Sequence, residues 1–318
     1  MRKVALAIFV VGLGVLGGAA IMRSAKSDES EIIVSNFVAF DFVRAVAGNT
    51  DGLKMLVKPG AEIHDFEPTP SDVLKLKNAK LVIDNGGESD EWIKRLLETN
   101  EVDKNKTLRL MDLVKVKEEE LVEGMEEENE AGESEGEEAE EPEYDEHIWT
   151  SPKNAVELVR GIERKMSEVE PERAEEYQEN AEKYVAKILE VDKKIREVVK
   201  NGSKKELVFG DRFPFRYFVD EYGLKYFAAF PGCASQTEAS GKTVKFLVDK
   251  VKNDDVKAVL KIELSSGKLA ETIAEEAGGV EVLELNAAHN IAQEEFERGV
   301  TYVEIMNRNV ETLEKALR

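Results

Sequence analysis

The feature that most constrains the fold is an alternation of short apolar strands with helices, interrupted once by a long helical segment. Strand-like runs occupy residues 31–37, 53–57 and 80–84, and the pattern resumes at 206–210. Strands that alternate with helices form βαβ units and build mostly parallel sheets. Between the two sets, apolar residues at three- and four-residue spacing predict a helix of about 30 residues from Pro171 onward. The sequence therefore predicts an α/β fold of two lobes, each with a mostly parallel sheet flanked by helices, joined by one long backbone helix.

The same patterns divide the chain into four parts. We expect a signal sequence or membrane anchor at 1–30, an N-terminal lobe at 31–152, a linker with the long helix at 153–203, and a C-terminal lobe at 204–318. The first part starts with basic residues, continues through an uncharged apolar run and then turns polar, which is the order of an export signal. Basic residues before an apolar run favour an exported body. We therefore expect an extracytoplasmic protein, in the periplasm or at the cell surface, associated with the membrane through its N-terminus.

The negative charge of the chain is concentrated in one segment. The net charge is −22, and residues 118–143 hold 15 of the 66 acidic residues, all of them Glu. A segment of this composition cannot bury apolar surface, so the sequence predicts a disordered acidic insertion. It would be a solvated loop or a weak collector of cations. The acidity also argues against nucleic acid as a partner, because phosphate binding needs clustered Lys and Arg.

Histidine and cysteine are scarce, so each one is informative. The chain has three His and one Cys. His64 and His147 lie in predicted loops beside strands or helices, and each has an acidic neighbour, an arrangement that suits metal binding but also an ordinary hydrogen-bonded histidine. Motifs of metalloproteases, serine hydrolases and phosphate-binding loops are missing, and no spaced pairs of Cys occur. These observations favour a binding protein over an enzyme.

Several stretches of the chain resemble, in the same order, the zinc/manganese substrate-binding proteins of ABC importers. The matching stretches are 56–72 around His64, 81–86 with Trp92, 146–155 around His147, the linker positions Pro171, Tyr177, Asn180 and Tyr184, and, in the C-terminal half, Tyr217, Phe218, Glu263, Tyr302, Met306 and Asn309. The resemblance implies a protein that captures one divalent metal, Zn2+ or Mn2+, between two lobes and delivers it to a membrane permease. We expect such a protein to act as a monomer.

The resemblance also implies which residues bind the metal in the N-terminal half. It carries His64 and His147 over as ligands, but the C-terminal half departs from the family pattern. The usual third ligand falls on Arg212, which is always protonated and cannot bind a cation. The usual fourth ligand aligns with Asn286. The C-lobe ligands are therefore not present in their usual form.

Two residues of the C-terminal half are the preferred replacements. Cys233 follows a strand and is a good soft ligand for zinc, and Glu263 also ends a strand. His289, Asp211 and Glu238 are further alternatives. Two His with a Cys or a carboxylate favour zinc, whereas more oxygen ligands would favour manganese.

Two other classes of function stay open, the second because the usual third ligand is missing. One is an exported zinc hydrolase, which would need an open metal position and a general base nearby. The other is an adhesin or scaffold that has kept the fold and lost the metal site.

Overall fold

The structure, a computed structural model, describes residues 31–61, 66–99, 102–125, 143–232 and 239–318. In the described part of the N-terminal lobe, four strands form one parallel sheet in the order β2-β1-β3-β4. Its elements are β1 (Ile32–Val34), α1 (Phe37–Ala47), β2 (Leu53–Met55), α2 (Pro70–Asn78), β3 (Leu81–Asp84), α3 (Glu91–Glu98) and β4 (Thr107–Arg109). The chain changes direction across the sheet between β1 and β3, where ligands bind in open parallel sheets.

The C-terminal lobe repeats this architecture with different helices. Its parallel sheet has the order β6-β5-β7-β8 in the described residues. The elements are β5 (Glu206–Phe213), α6 (Arg216–Tyr222), β6 (Lys225–Pro231), α7 (Gly241–Asn253), β7 (Ala258–Lys261), α8 (Lys268–Glu276), β8 (Glu281–Glu284), α9 (Gln293–Glu297) and α10 (Tyr302–Ala316), with α4 (Pro152–Val169) and α5 (Ala174–Asn201) preceding them in the chain. The predicted two-lobed α/β fold is therefore confirmed.

Helix α5 is the long backbone helix, and it has 28 residues. Its predicted apolar stripe is buried at Tyr177, Ala181, Tyr184, Ile188, Val191 and Ile195. The stripe packs against α1, α4 and α10, so the largest apolar core runs from one lobe through the linker into the other. Such a continuous core holds the lobes together through burial of apolar surface.

A polar contact also joins the lobes beside this core. The buried Asp41 of α1 accepts hydrogen bonds from the backbone N–H of Tyr302, at 2.8 Å, and from the Tyr184 hydroxyl. Arg44, which is paired with Asp41 at 2.7 Å, donates to the carbonyl of Val300. Burial raises the pKa of Asp41, although Arg44 opposes this effect. The N-terminal lobe thus holds the start of α10 directly.

The structure adds details that the sequence patterns did not show. Thr69 caps α2, since its hydroxyl accepts from the backbone of Asp72 while the Asp72 carboxylate accepts from that of Thr69. The three-residue strand β4 and the five-residue helix α9 were not predicted, because neither is long enough to show a periodic pattern. The last helix, α10, begins at Tyr302, where Thr301 caps it.

The two ends of the acidic insertion make contacts with the rest of the protein. The prediction that all of 118–143 is disordered is therefore wrong at these ends. Glu118 pairs with Tyr144 in an isolated antiparallel bridge, and Glu120 forms an ion pair with Arg216 of the C-terminal lobe at 3.3 Å. Residues 126–142 lie outside the described part of the chain. So do residues 1–30, predicted as a signal or anchor. In the part that is described, no helix has the length and apolar character needed to cross a membrane.

Candidate metal centre

His147 lies in the cleft between the lobes, just before α4, and its side chain is fully buried. The Asp145 carboxylate lies 3.0 Å from its Nδ1 atom and also accepts from its backbone N–H at 2.8 Å. Burial alone would lower the pKa of His147, but the carboxylates of Asp145, Glu146 and Glu119 together outweigh burial and raise the pKa above the ordinary value of imidazole. A carboxylate at Nδ1 orients the ring and leaves Nε2 as the metal-binding nitrogen.

Both lobes fix the segment that carries His147. On the C-terminal side, the Tyr217 hydroxyl donates to the carbonyl of Asp145 at 2.7 Å. On the N-terminal side, the Asn85 amide donates to the carbonyl of Glu146 at 2.9 Å, and the Ser89 hydroxyl donates to the Glu146 carboxylate. Burial raises the pKa of Glu146 to about 7. His147 is therefore held in a preformed position between the lobes.

His289 lies against His147 from the C-terminal lobe. The two ring centres are 4.2 Å apart and the rings are nearly perpendicular, at 88°. Trp149 contacts both, with ring centres 5.6 Å from His147 and 5.8 Å from His289. Its indole N–H donates to the carbonyl of Ala287 at 2.7 Å. Sequence analysis gave His289 only as an alternative metal ligand. Its position just beyond β8 was the feature of the sequence that pointed to it.

Glu263, one of the predicted ligands, holds the loop of His289. It follows β7, and its two carboxylate oxygens accept from the backbone N–H groups of Ala287, at 2.7 Å, and His289, at 2.8 Å. Its Oε1 atom lies 3.9 Å from the Nδ1 atom of His289. Burial raises the pKa of Glu263 to about 7, and the backbone donors partly oppose this.

The other two predicted ligands, His64 and Cys233, lie outside the described residues, but their described neighbours reach this centre. Gly232 lies so close to His147 that a Cβ atom added to it would be 3.1 Å from the Cε1 atom of the ring. On the other side, the Asn290 amide donates to the carbonyl of Ala61. In the described part of the chain, no group of three or more His, Cys, Asp or Glu is arranged to hold a metal ion.

The two positions that the resemblance implies for C-lobe ligands, Arg212 and Asn286, have other contacts here. Asn286 accepts from the backbone N–H of Ala288 at 2.8 Å, and its own backbone bonds to the Asn309 side chain. Arg212 is half-buried in β5 and lines, with Asp211 and Glu263, a cavity of about 270 Å³.

Comparison with known proteins gives the same picture. A family model described as "ZnuA: Zinc-uptake complex component A periplasmic" matches residues 32–316. The chain is 30% identical over 297 residues to the "High-affinity zinc uptake system protein ZnuA" of Bacillus subtilis, covering 92% of this chain and 89% of that protein. It is 29% identical over 317 residues to the "Zinc-binding lipoprotein AdcA" of Streptococcus pneumoniae, covering 99% of this chain and 61% of that longer protein.

Solved structures share the fold. The Zn(II)-bound ZnuA-like domain of Streptococcus pneumoniae AdcA is similar with a TM-score of 0.72 at 26% identity, over 91% of this chain and 98% of that one. The metal-dependent lipoprotein YcdH from Bacillus subtilis is similar with a TM-score of 0.73 at 25% identity, over 91% of this chain and 100% of that one. The family match covers most of the chain, from residue 32 to residue 316. This chain belongs to the ZnuA family of zinc-uptake components.

Proposed function

We propose that this protein captures zinc between its two lobes outside the cytoplasm and delivers it to the membrane permease of an ABC importer. One observation supports this most strongly. His147 and His289 meet in the buried cleft between the lobes, and the described neighbours of His64 and Cys233 contact the same cleft. These four residues are all the His and Cys of the chain. Imidazole and thiolate are the ligands that zinc prefers, whereas manganese prefers oxygen.

In this proposal, capture is binding without chemistry. His64 and His147 bind the metal from the N-terminal half, and Cys233 and Glu263 are the ligands that the sequence predicts from the C-terminal half. Metal binding displaces protons from its ligands. The lobes stay joined by their continuous core and by the contact of Asp41 with Tyr302, so the permease must open the cleft to release the ion.

The membrane location and the permease belong to the same proposal. The family description and the named relatives are zinc-uptake components, and residues 1–30 have the order of an export signal or anchor. We propose that the protein works as a monomer on the outer face of the membrane.

Calorimetry of the full chain with zinc chloride and manganese chloride tests the proposal. We expect one zinc ion to bind tightly and manganese to bind more weakly. A His64→Ala/His147→Ala double variant is expected to lose this binding, while a Glu281→Gln variant on the exposed surface of β8 keeps it. Zinc binding that is indifferent to the double variant would reject the proposal.

An exported hydrolase is not supported by the geometry of the centre. A catalytic zinc needs an open position for water and substrate, but His147 is fully buried and His289 is nearly so. We expect no hydrolysis of esters or phosphate esters by the zinc-loaded protein.

A further inference from the structure

The two described ends of the acidic insertion form a short stem with two arms. The outgoing arm is residues 117–125 and the return arm is residues 143–145. The backbone N–H of Asp145 donates to the carbonyl of Lys117 at 3.0 Å, beside the antiparallel bridge that joins the same two arms. The arms therefore act as one unit, which we call the strap.

Both ends of the strap are fixed in the N-terminal lobe. Before the outgoing arm, the backbone N–H of Met111 donates to the carbonyl of Asn85 at 3.0 Å, and Val116 is half-buried against the largest apolar core. After the return arm, the Asn85 amide donates to the carbonyl of Glu146 at 2.9 Å. The strap therefore starts in the N-terminal lobe and returns to it at the segment that carries His147.

One tyrosine of the C-terminal lobe holds both arms at once. Tyr217 of α6 is 2% exposed, and its hydroxyl accepts from the backbone N–H of Lys117 at 3.0 Å while it donates to the carbonyl of Asp145 at 2.7 Å. The carboxylate of Asp145 in turn lies against His147. Hydrogen bonds between buried groups are costly to lose, because the groups are left unsatisfied away from water. Tyr217 therefore links the strap, the C-terminal lobe and the metal centre.

Beyond this tyrosine, the outgoing arm runs across the surface of the C-terminal lobe. Glu120 forms its ion pair with Arg216, and its carbonyl accepts from the Tyr226 hydroxyl at 3.3 Å. At the tip, Gly124 has a φ of +95° and lies so close to Phe246 of α7 that an added Cβ atom would collide with the ring. Both the φ angle and the close approach require glycine at this position. The strap is thus attached to the C-terminal lobe from α6 to α7.

The metal centre is closed to solvent while the lobes are in this arrangement. His147 is fully buried and His289 is 8% exposed among the described residues. Entry and release of an ion therefore require a transient opening of the cleft. Opening moves the C-terminal lobe away from the N-terminal lobe, so it must break contacts of a strap that is fixed in one lobe and attached to the other.

Resting on the proposed function, we propose that the strap restrains the opening of the cleft and so sets the rate at which metal enters and leaves. A restraint of this kind changes the population of the open state and leaves the ligands as they are. Because the strap is attached in the same way with and without metal, it slows association and dissociation by the same factor. The affinity is then nearly independent of the strap.

Zinc exchange kinetics of the full chain test this inference with two tyrosines of one helix. Tyr217→Phe removes the hydroxyl that holds both arms, and we expect zinc association and dissociation both to become about tenfold faster. Tyr222→Phe is the matched control with wild-type rates, because the Tyr222 hydroxyl donates to Asp192 of α5 at 2.8 Å and not to the strap. Stopped-flow mixing with zinc chloride, and of the zinc-loaded protein with a fluorescent chelator, measures the two rates.

The two rates together separate a restraint on opening from a residue that only shapes the site. We expect the affinity of Tyr217→Phe to stay within about threefold of the wild type, because both rates rise together. Faster dissociation with unchanged association would overturn the inference, since it would mean that Tyr217 shapes the bound state. Wild-type rates in Tyr217→Phe, with zinc still bound tightly, would overturn it as well and leave the proposed function in place.

The tip of the strap gives an independent variant. Gly124→Ala drives a methyl group into Phe246, and we expect it to make both rates about threefold faster. Gly278→Ala is the matched control, because Gly278 also has a positive φ, at +109°, but an added Cβ atom would have no neighbour within 4 Å. Equal zinc exchange rates in these two variants would contradict the role of the tip.

Hydrogen exchange of the metal-free full chain examines the strap without zinc. The backbone N–H groups of Glu119 and Asp145 donate within the strap and not to Tyr217. We expect them to exchange about tenfold faster in Tyr217→Phe than in the wild type or in Tyr222→Phe. Unchanged exchange would overturn the inference. A wild type that binds no zinc would instead reject the proposed function, and the exchange of these groups would still decide whether Tyr217 holds the strap closed.

Discussion

The two lobes have the same sheet architecture but bring different kinds of residue to the cleft. The N-terminal half follows the family pattern, with His64 and His147 at the expected places in the sequence. In the C-terminal half, the positions that the resemblance implies for ligands hold Arg212 and Asn286, and the ring of His289, three residues beyond Asn286, lies against His147. A shared sheet fixes where its loops converge, but it does not fix which loop position supplies the chemistry. The difference teaches that two lobes built on the same sheet can bring different side chains to one cleft.

The largest loss of stability is expected from substitution of Trp149, where the two halves meet. Trp149 is 1% exposed, contacts both histidine rings and donates to the carbonyl of Ala287. Trp149→Ala removes this packing and is expected to cost about 3–5 kcal/mol of unfolding free energy. Trp149→Phe keeps most of the volume and is the matched control. Denaturant unfolding checks both, and equal stability of Trp149→Ala and the wild type would contradict the packing role.

The next effect is expected where α1 holds the start of α10. Asp41→Ala leaves the Tyr184 hydroxyl, the Tyr302 backbone N–H and Arg44 without their shared partner, at a cost of about 3 kcal/mol. Glu176→Ala is the control, because its ion pair with Arg173 is on the surface. Thermal unfolding measures both variants. A smaller loss at Asp41 than at Glu176 would show that the contact of Asp41 with α10 does not stabilise the joint between the lobes.

A third prediction compares the carboxylates behind the two histidines. Asp145 lies 3.0 Å from the Nδ1 atom of His147, whereas Glu263 lies 3.9 Å from that of His289. Loss of such a carboxylate typically weakens metal binding 10–100-fold, or by about 1.4–2.7 kcal/mol. Asp145→Ala is therefore expected to weaken zinc binding by an amount near the upper end of this range. Competition with a chelator of known affinity measures this change. Unaltered affinity in Asp145→Ala would mean that His147 does not depend on its carboxylate.

The smallest change in zinc affinity is expected for a change of one pH unit. Zinc binds neutral imidazole, and the pKa of His147 is raised above its ordinary value, so its proton competes with the metal as the pH falls through that raised pKa. Affinity is expected to be full at high pH and to fall about tenfold per pH unit for each displaced proton, or about 1.4 kcal/mol. Calorimetry between pH 7.5 and 5 measures this dependence, with thermal unfolding at each pH as the control for folding. Unchanged affinity at pH 5 would contradict it.

Much of the fold could be predicted because the βα alternation and the stripe of α5 are local patterns. The stripe from Tyr177 to Ile195 was visible from its spacing and is buried as expected. Strand β4 was missed because its three residues are defined by pairing with β3, which is a contact distant in the chain.

The site was less predictable, for a related reason. His147 could be identified from its loop, but its contact with His289 joins residues 142 positions apart and depends on how the lobes meet. The carboxylate of Glu263 was recognised as important, but its bonds to the backbone of Ala287 and His289 follow only from the folded loop. A sequence shows which residues can bind a metal, while the joint between lobes decides which of them come together.

The most direct test of metal capture between the lobes is the anomalous scattering of a zinc-loaded crystal of the full chain. We predict a single zinc peak in the cleft, about 2.0–2.1 Å from the Nε2 atom of His147 and bound also by the C-terminal lobe. A zinc peak away from His147, or one bound only by the acidic insertion, would contradict the capture of metal at this centre.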